Sequence, residues 1–102
     1  MRKVLTSVVD YIAARLFFLE VDTSFLVTGG ATYLNDAIGA NQAIRKIYCH
    51  REQSSSIAAE AYARVALTSA LLNVTTGPGS INALNSVFGT YTDSISMVAV
   101  SV

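Results

Sequence analysis

The stretch that decides the fold is residues 44–64, IRKIYCHREQSSSIAAEAYAR. It opens with an apolar run over residues 44–49, crosses a short polar turn that carries Glu52, and continues as an alanine-rich segment over residues 53–66. This pattern predicts a strand, a turn and a helix that packs closely against its neighbours. In an open α/β sheet, ligands bind at the carboxyl ends of the strands. Glu52 is therefore the first candidate for a functional residue.

The other elements alternate in the same way on both sides of this stretch. Apolar runs predict strands over residues 24–28, 71–74 and 96–102, and helical spacing predicts helices over residues 3–20 and 32–39 and from Pro78 onward. Strands that alternate with helices predict an α/β fold: a parallel sheet with helices on both faces. In the last helix, the spacing of large side chains predicts an apolar face made of Ile81, Leu84, Val87, Phe88 and Tyr91.

The composition is that of a small domain with an unusually apolar surface. The chain has 102 residues, of which 52% are hydrophobic and 14% are charged, whereas about 25% are charged in an average soluble domain. We therefore expect residues 1–102 to form a single, truncated domain whose surface is partly covered by another domain or by a second copy. The net charge is zero, and the absence of a basic patch argues against nucleic acid as a partner.

Other features of the sequence indicate a cytoplasmic protein. No apolar run approaches the roughly 18 residues of a membrane span. Asp10 and Arg15 interrupt the N-terminal apolar run, and no clear cleavage site follows, so a signal peptide is not predicted. Cys49 is the single cysteine, which excludes an internal disulfide and favours a reducing compartment. With only His50 beside it, no metal site is predicted.

A second turn of the same kind follows the next predicted strand, in the run Thr75-Thr76-Gly77-Pro78-Gly79. Proline suits the first turn of a helix, so a helix is expected to begin at Pro78. The carboxyl ends of parallel strands meet at one edge of a sheet, so this turn and Glu52 together predict a site. Taken alone, the Gly-Pro-Gly run is most often a turn, and no Lys-Ser/Thr pair follows it as in a phosphate-binding loop.

Five ordered blocks resemble the N-terminal, pyrimidine-binding domain of thiamine diphosphate enzymes of the acetolactate synthase type. They extend from about residue 9 to residue 102. The blocks are Thr28-Gly29-Gly30-Ala31, Arg51-Glu52-Gln53, Ala58-Ala59-Glu60-Ala61-Tyr62-Ala63-Arg64, Thr75-Thr76-Gly77-Pro78-Gly79-Ser80-Ile81-Asn82 and Asp93-Ser94-Ile95-Ser96.

The resemblance implies a role for each site residue. Glu52 matches the family glutamate that bonds to the pyrimidine ring of the cofactor and favours its imino tautomer. Burial in an apolar setting is expected to raise the pKa of this carboxyl so that it can share a proton near neutral pH. Thr75, Pro78 and Asn82 are expected against the pyrimidine ring. Gly29 and Gly30 are expected to let the backbone approach the cofactor or substrate, and Gln53 to face the substrate.

The resemblance also implies what lies outside these residues. The family holds magnesium and the cofactor's diphosphate through a Gly-Asp-Gly motif and a distant Asn, which this sequence lacks. Each family site forms between a pyrimidine domain and a diphosphate domain, so the expected partner is a second copy or a separate diphosphate-binding domain. The intact enzyme would act on a 2-keto acid, and the 102 residues alone are expected to be inactive. Whether FAD binds is undecided.

Departures from the family pattern leave other functions open. Thr28 and Ser96 stand where the family has proline, Arg51 where it has histidine, and Ala61 where it has glycine. These changes motivate a non-catalytic interaction or regulatory module of the same fold. A generic nucleotide-binding domain that uses Gly77–Gly79 is a third reading. Without the family pattern, Glu52 reads as a residue that compensates a helix dipole.

Overall fold

The protein forms a parallel sheet covered by two pairs of helices. In this computed structural model, residues 7–30 and 32–102 are described. The elements alternate along the chain as α1 Val8–Phe18, β1 Thr23–Leu26, α2 Thr32–Ala40, β2 Arg45–Tyr48, α3 Glu52–Ala66, β3 Ala70–Val74, α4 Pro78–Thr92 and β4 Met97–Ser101. The strand order is β2-β1-β3-β4, and every pairing is parallel. The predicted α/β architecture is confirmed.

The element boundaries differ slightly from those predicted. β1 ends at Leu26, two residues earlier than expected, because its pairing with β2 and β3 stops there. α3 begins at Glu52, so that the carboxylate lies in the first turn of the helix, where a negative charge is favoured. α1 begins at Val8, after Ser7 accepts a hydrogen bond from the backbone of Asp10. The rest of the predicted first helix, residues 3–6, lies outside the described residues.

Both faces of the two central strands, β1 and β3, are buried, whereas the edge strands β2 and β4 are exposed or half-buried. On one face, Leu71 of β3 packs with apolar side chains of α1, α2 and the loops beside them: Leu16, Val21, Leu34, Ile38 and Ile44. On the other face, Phe25 and Leu72 pack against α3 and α4 through small residues, Ala59, Ala63 and Ala83. A parallel sheet covered in this way has strands that are buried throughout, as β1 and β3 are.

The buried face of α4 is not the one that its large apolar residues predicted. Ile81, Leu84, Phe88 and Tyr91 are exposed, Phe88 by 71% and Tyr91 by 84%. The helix is instead buried through small residues, Gly79, Ala83, Ser86 and Thr90. α3 does the same through Ser55, Ser56, Ala59 and Ala63. Small side chains let the two helix backbones approach closely, whereas the large ones would hold them apart.

Two polar contacts fasten this helix pair. Near the start of α3, the buried hydroxyl of Ser56 donates to the carbonyl of Ala83 on α4 at 2.7 Å. Near the ends of both helices, Arg64 bonds Glu60 at 2.5 Å and Asp93 at 2.7 Å. The hydrogen bonds from Arg64 lower the pKa of Glu60. Arg64 and Asp93 belong to two of the motif blocks, and both lie at the amino ends of the strands.

A further contact ties α3 to the loop before β1. The hydroxyl of Tyr62 donates to Oδ1 of Asp22 at 2.6 Å, and its ring packs against Phe25 with centroids 5.7 Å apart. The hydrogen bond from Tyr62 is the main cause of a lowered pKa at Asp22. Since the ring and the hydroxyl act separately, their contributions to stability can be separated by experiment.

Tyr62→Phe is expected to weaken the fold only where Asp22 is ionised. The substitution keeps the ring but removes the donor, so the free energy of unfolding should fall by about 0.5–1 kcal/mol at pH 7. A lowered folded-state pKa stabilises the fold above the ordinary pKa of aspartate, and that contribution is lost as the pH falls through the folded value. Urea unfolding at pH 7 and at an acid pH below the lowered pKa of Asp22 measures the difference.

Tyr91→Phe is the matched control, because Tyr91 is exposed on α4. It should leave the free energy of unfolding unchanged at both pH values. An equal loss for Tyr62→Phe at neutral and acid pH would show that the hydrogen bond to Asp22 is not the cause.

Candidate functional site

Glu52 lies at the carboxyl edge of the sheet, as the sequence predicted. β2 ends at Tyr48, and a short turn through His50 leads to Arg51, whose extended backbone precedes α3. The side chain of Arg51 makes no capping hydrogen bond. Glu52 is the first residue of the helix and is half-buried. Its carboxylate therefore stands at the positive end of α3, beside the turn that follows β3.

Asn82 orients this carboxylate. α4 begins at Pro78, and Asn82 in its second turn donates Nδ2–H to Glu52 Oε2 at 3.0 Å. That hydrogen bond is the main cause of a lowered pKa at Glu52, and the charge of Arg51 adds to it. The expected raised pKa is therefore wrong for this chain, because the side chain is only half-buried and an amide stabilises its charged form. The hydrogen bond between Glu52 and Asn82 was not predicted, and the predicted contact of Asn82 with a pyrimidine ring remains a prediction.

Thr75 fills the space between two glycines at the same edge. A Cβ on Gly30 would overlap the side chain of Thr75, and a Cβ on Gly79 would lie 2.9 Å from Thr75 Cγ2 and 3.3 Å from Glu52 Oε1. Only glycine allows these approaches. We call Gly30, Glu52, Thr75, Gly79 and Asn82 the edge cluster. Gly79 was quoted in a motif but not chosen as a site residue; the closeness of α4 to Glu52 makes it one.

Hydrogen bonds hold the turn after β3 in place. Ser80 donates its hydroxyl to the carbonyl of Thr75 at 2.7 Å, and Thr75 donates its own to the carbonyl of Val102 at 3.1 Å. Gly77, at the N-cap of α4, has a φ of 67°, a left-handed value that suits glycine. The turn is therefore determined by its backbone, and Thr75 is held from both sides.

A polar cleft of about 190 Å³ adjoins the edge cluster on the α2 side of the sheet. Thr28, Gly29 and Gly30 line it together with Asn35 and Asp36 of α2. The predicted contact of the two glycines with a cofactor or substrate remains a prediction. Asn35 and Asp36 were not predicted, since nothing in their local sequence separates them from other polar helix residues. A second cavity, of about 220 Å³, lies at the opposite edge, beside Arg64 and Ser94.

Two other predicted site residues, Pro78 and Gln53, lie next to members of the edge cluster in the sequence. Pro78 is exposed at the first position of α4, and Gln53 is half-buried next to Glu52. Their predicted contacts to a pyrimidine ring and a substrate remain predictions.

Across residues 7–30 and 32–102, no three His, Cys, Asp or Glu side chains come together as a metal site would need. Over the same residues, no helix has the length and apolar character needed to cross a bilayer.

Comparison with known proteins identifies related sequences. The model of the family described as "Thiamine pyrophosphate enzyme, N-terminal TPP binding domain" matches residues 6–102. The acetolactate synthase large subunit of Haemophilus influenzae is 37% identical over 82 residues, which are 79% of this chain and 14% of that protein. Pyruvate decarboxylase of Neurospora crassa is 33% identical over 93 residues, which are 90% of this chain and 16% of that protein.

Solved structures share the fold at lower identity. The thiamine diphosphate-dependent 4-hydroxybenzoylformate decarboxylase of Rhodococcus jostii RHA1 superposes with a TM-score of 0.79 at 18% identity, covering 93% of this chain and 18% of that one. A chain from Mycobacterium smegmatis superposes with a TM-score of 0.81 at 19% identity, over 94% of this chain and 19% of that one. This chain thus spans less than a fifth of each of these four proteins.

Gly30→Ala is expected to destabilise the fold by about 1–3 kcal/mol, because the added methyl group overlaps Thr75 and the packed turn must shift. Gly39→Ala is the matched control. Gly39 lies in α2 with nothing within 4 Å of its Cβ position, so alanine there should cost nothing and can add up to about 1 kcal/mol. Thermal unfolding of the two variants measures this. Similar melting temperatures for both would contradict the close contact.

Asn82→Ala is expected to raise the pKa of Glu52 above its value in the unmodified chain, because the amide that stabilises the ionised carboxylate is removed. NMR titration of the carboxyl carbon of Glu52 measures this pKa. Asn85→Ala, at an exposed position one turn further along α4, should leave it unchanged. A Glu52 pKa that is the same in Asn82→Ala would show that this amide does not control the carboxylate.

Proposed function

Because this chain belongs to the thiamine pyrophosphate enzymes as an N-terminal TPP binding domain, we propose that its edge cluster binds the pyrimidine ring of thiamine diphosphate. One observation carries the proposal: the Glu52 carboxylate is held by Asn82 directly beside the Gly77-Pro78-Gly79 turn. Two residues from separate motif blocks, 30 positions apart, thereby share one hydrogen bond at the edge where α/β sheets bind ligands.

The residues present fit such a group. Asn82 engages Oε2 of Glu52, and Oε1 faces Gly79 on the turn. A carboxylate oxygen accepts a hydrogen bond from a protonated ring nitrogen, and a protonated carboxyl donates one to a bare nitrogen. Gly29 and Gly77 have open space where a side chain would stand, so a flat ring could approach the backbone at this edge. Gln53 and Pro78 are proposed to border the ring and the substrate.

Each side chain has its own task in this proposal. Glu52 holds or releases a proton at Oε1, toward the pyrimidine nitrogen. Asn82 fixes the rotamer of Glu52, and Thr75 holds the two glycine segments at a constant distance. When bound, thiamine diphosphate supplies the carbanion chemistry on a 2-keto acid substrate. For Glu52 to exchange a proton with the pyrimidine nitrogen near neutral pH, its pKa must rise. A covering domain that removes water from this edge of the sheet would raise it.

The named relatives guide the proposal for the whole enzyme. They are an acetolactate synthase and a pyruvate decarboxylase, so a 2-keto acid such as pyruvate is the proposed substrate, in carbon–carbon lyase or transferase chemistry. We propose that magnesium and the diphosphate are held by a diphosphate-binding domain, since residues 1–102 contain no Gly-Asp-Gly motif. The exposed apolar side chains of α4, Ile81, Leu84, Phe88 and Tyr91, support such a covering partner. A cytoplasmic location is likewise a proposal, and FAD is left open.

A non-catalytic module of the same fold is the second candidate. The departures from the family pattern at Thr28, Arg51, Ala61 and Ser96 favour it, and the pKa of Glu52 is lowered in this chain. Arg51, which replaces the family histidine, contributes to that lowering. In this reading the edge cluster is retained for folding, and binding of the cofactor is lost or serves only assembly.

Glu52→Gln decides between the two. The chain is combined with a diphosphate-binding domain, thiamine diphosphate and magnesium, and exchange of the cofactor's C2 proton for deuterium is followed by NMR. If Glu52 activates the cofactor, the exchange rate should fall by about 10²–10⁴-fold, the usual contribution of a general acid or base. Glu20→Gln, an exposed glutamate outside the site, is the control and should exchange at the unmodified rate. Equal rates for both variants would favour the non-catalytic module.

A further inference from the structure

A buried asparagine pair links the centre of the sheet to the glycine turn of the site. Asn73 of β3 is 0% exposed and is paired across the sheet with Leu26 and Val100. Its Nδ2 donates to Oδ1 of Asn35 on α2. Asn35 in turn donates its own Nδ2 to the carbonyl of Gly30 at 2.9 Å. A continuous chain of amides therefore runs from β3 through α2 to the turn after β1.

The stability of the fold does not explain why a polar side chain occupies position 73, in the buried centre of β3. Its Oδ1 is buried and has no hydrogen-bond partner among the described residues. An unsatisfied buried oxygen destabilises a fold, and an apolar residue of similar shape would remove that penalty. Leu71, which points to the same face of β3 two residues earlier, is such a residue and is fully buried. The polar group at position 73 thus needs a reason other than packing.

The turn that the amides hold is in contact with the site. Gly30 lies against Thr75, Thr75 lies against Gly79, and the Cβ position of Gly79 is 3.3 Å from Glu52 Oε1. Asn35 also forms part of the wall of the polar cleft beside Gly29 and Gly30. A displacement of the Gly30 carbonyl would therefore change both the cleft and the packing beneath the carboxylate.

From these contacts we propose that Asn73 and Asn35 are positioning residues that set the Gly29-Gly30 turn for ligand binding. The inference rests on the proposed function only for the identity of the ligand, thiamine diphosphate, whose affinity the pair is expected to affect. Asn73 acts at a distance through Asn35, and Asn35 acts through the Gly30 carbonyl. Neither forms part of the edge cluster, and Glu52 is held by a separate hydrogen bond, from Asn82.

Asn73→Leu tests the proposal. It removes the unsatisfied oxygen, and water in the cleft can satisfy Asn35, so the melting temperature should stay the same or rise. The Gly30 carbonyl ¹³C shift should change, and the NMR order parameters of Gly29 and Gly30 should fall. With the diphosphate-binding domain and magnesium present, the dissociation constant of thiamine diphosphate should rise about fivefold, the equivalent of one hydrogen bond.

Two further variants keep the test decisive. Asn35→Leu combined with Asn73→Leu replaces the whole pair by apolar groups, which preserves folding if either single change does not. Asn85→Ala, an exposed asparagine of α4, should change none of these quantities. Unchanged order at Gly29 and Gly30, or loosened glycines with an unchanged dissociation constant, would overturn the positioning role. If the unmodified chain binds no thiamine diphosphate even with the diphosphate-binding domain and magnesium present, the proposed function fails. Loosened glycines in Asn73→Leu would still assign the asparagine pair to the turn.

Discussion

The site depends on how closely α3 and α4 approach each other. Their buried faces consist of alanine, serine, glycine and one threonine, so that the two backbones lie side by side without large side chains between them. This closeness lets Asn82 reach Glu52 and brings Gly79 against the carboxylate. A bulky residue at Ala59, Ala83 or Gly79 would separate the helices and the two halves of the site together. Packing and function are therefore set by the same small side chains.

The carboxyl and amino ends of the strands differ in what their side chains do. At the carboxyl ends of the strands, glycines and Thr75 leave backbone accessible and place one carboxylate among them. At the amino ends, Arg64 joins Glu60 and Asp93 in an exposed ion-pair network that fastens α3 to α4. Motif blocks occur at both ends, which explains why only some of them contribute to the site. The Tyr-Ala-Arg and Asp-Ser blocks serve the scaffold, and the Gly-Gly, Glu-Gln and Gly-Pro-Gly blocks serve the edge.

The electrostatics of Glu52 show what this chain supplies and what it does not. The amide of Asn82, and with it the charge of Arg51, lowers the pKa of this half-buried carboxyl. The proposed proton exchange needs the opposite, a carboxyl that keeps its proton more readily. The exposed apolar side chains of α4 offer a surface on which another domain could pack. In the proposed enzyme, that domain would exclude water from the carboxyl edge of the sheet and complete the site. Assembly and cofactor activation would then be coupled.

The sequence by itself determined the order of the elements, the parallel sheet and the place of Glu52, because apolar runs, glycine turns and Pro78 act over a few residues. Motif blocks also predicted site roles for Gly29, Gly30, Thr75 and Asn82, which the structure places at or beside that edge. Tertiary structure decided which face of α4 is buried, since the choice between small and large side chains depends on the partner helix. It alone brought Asn35 and Asn73 together from positions 38 residues apart. The direction of the pKa shift at Glu52 was likewise beyond local pattern, because it depends on Asn82 and on how much water reaches the carboxylate.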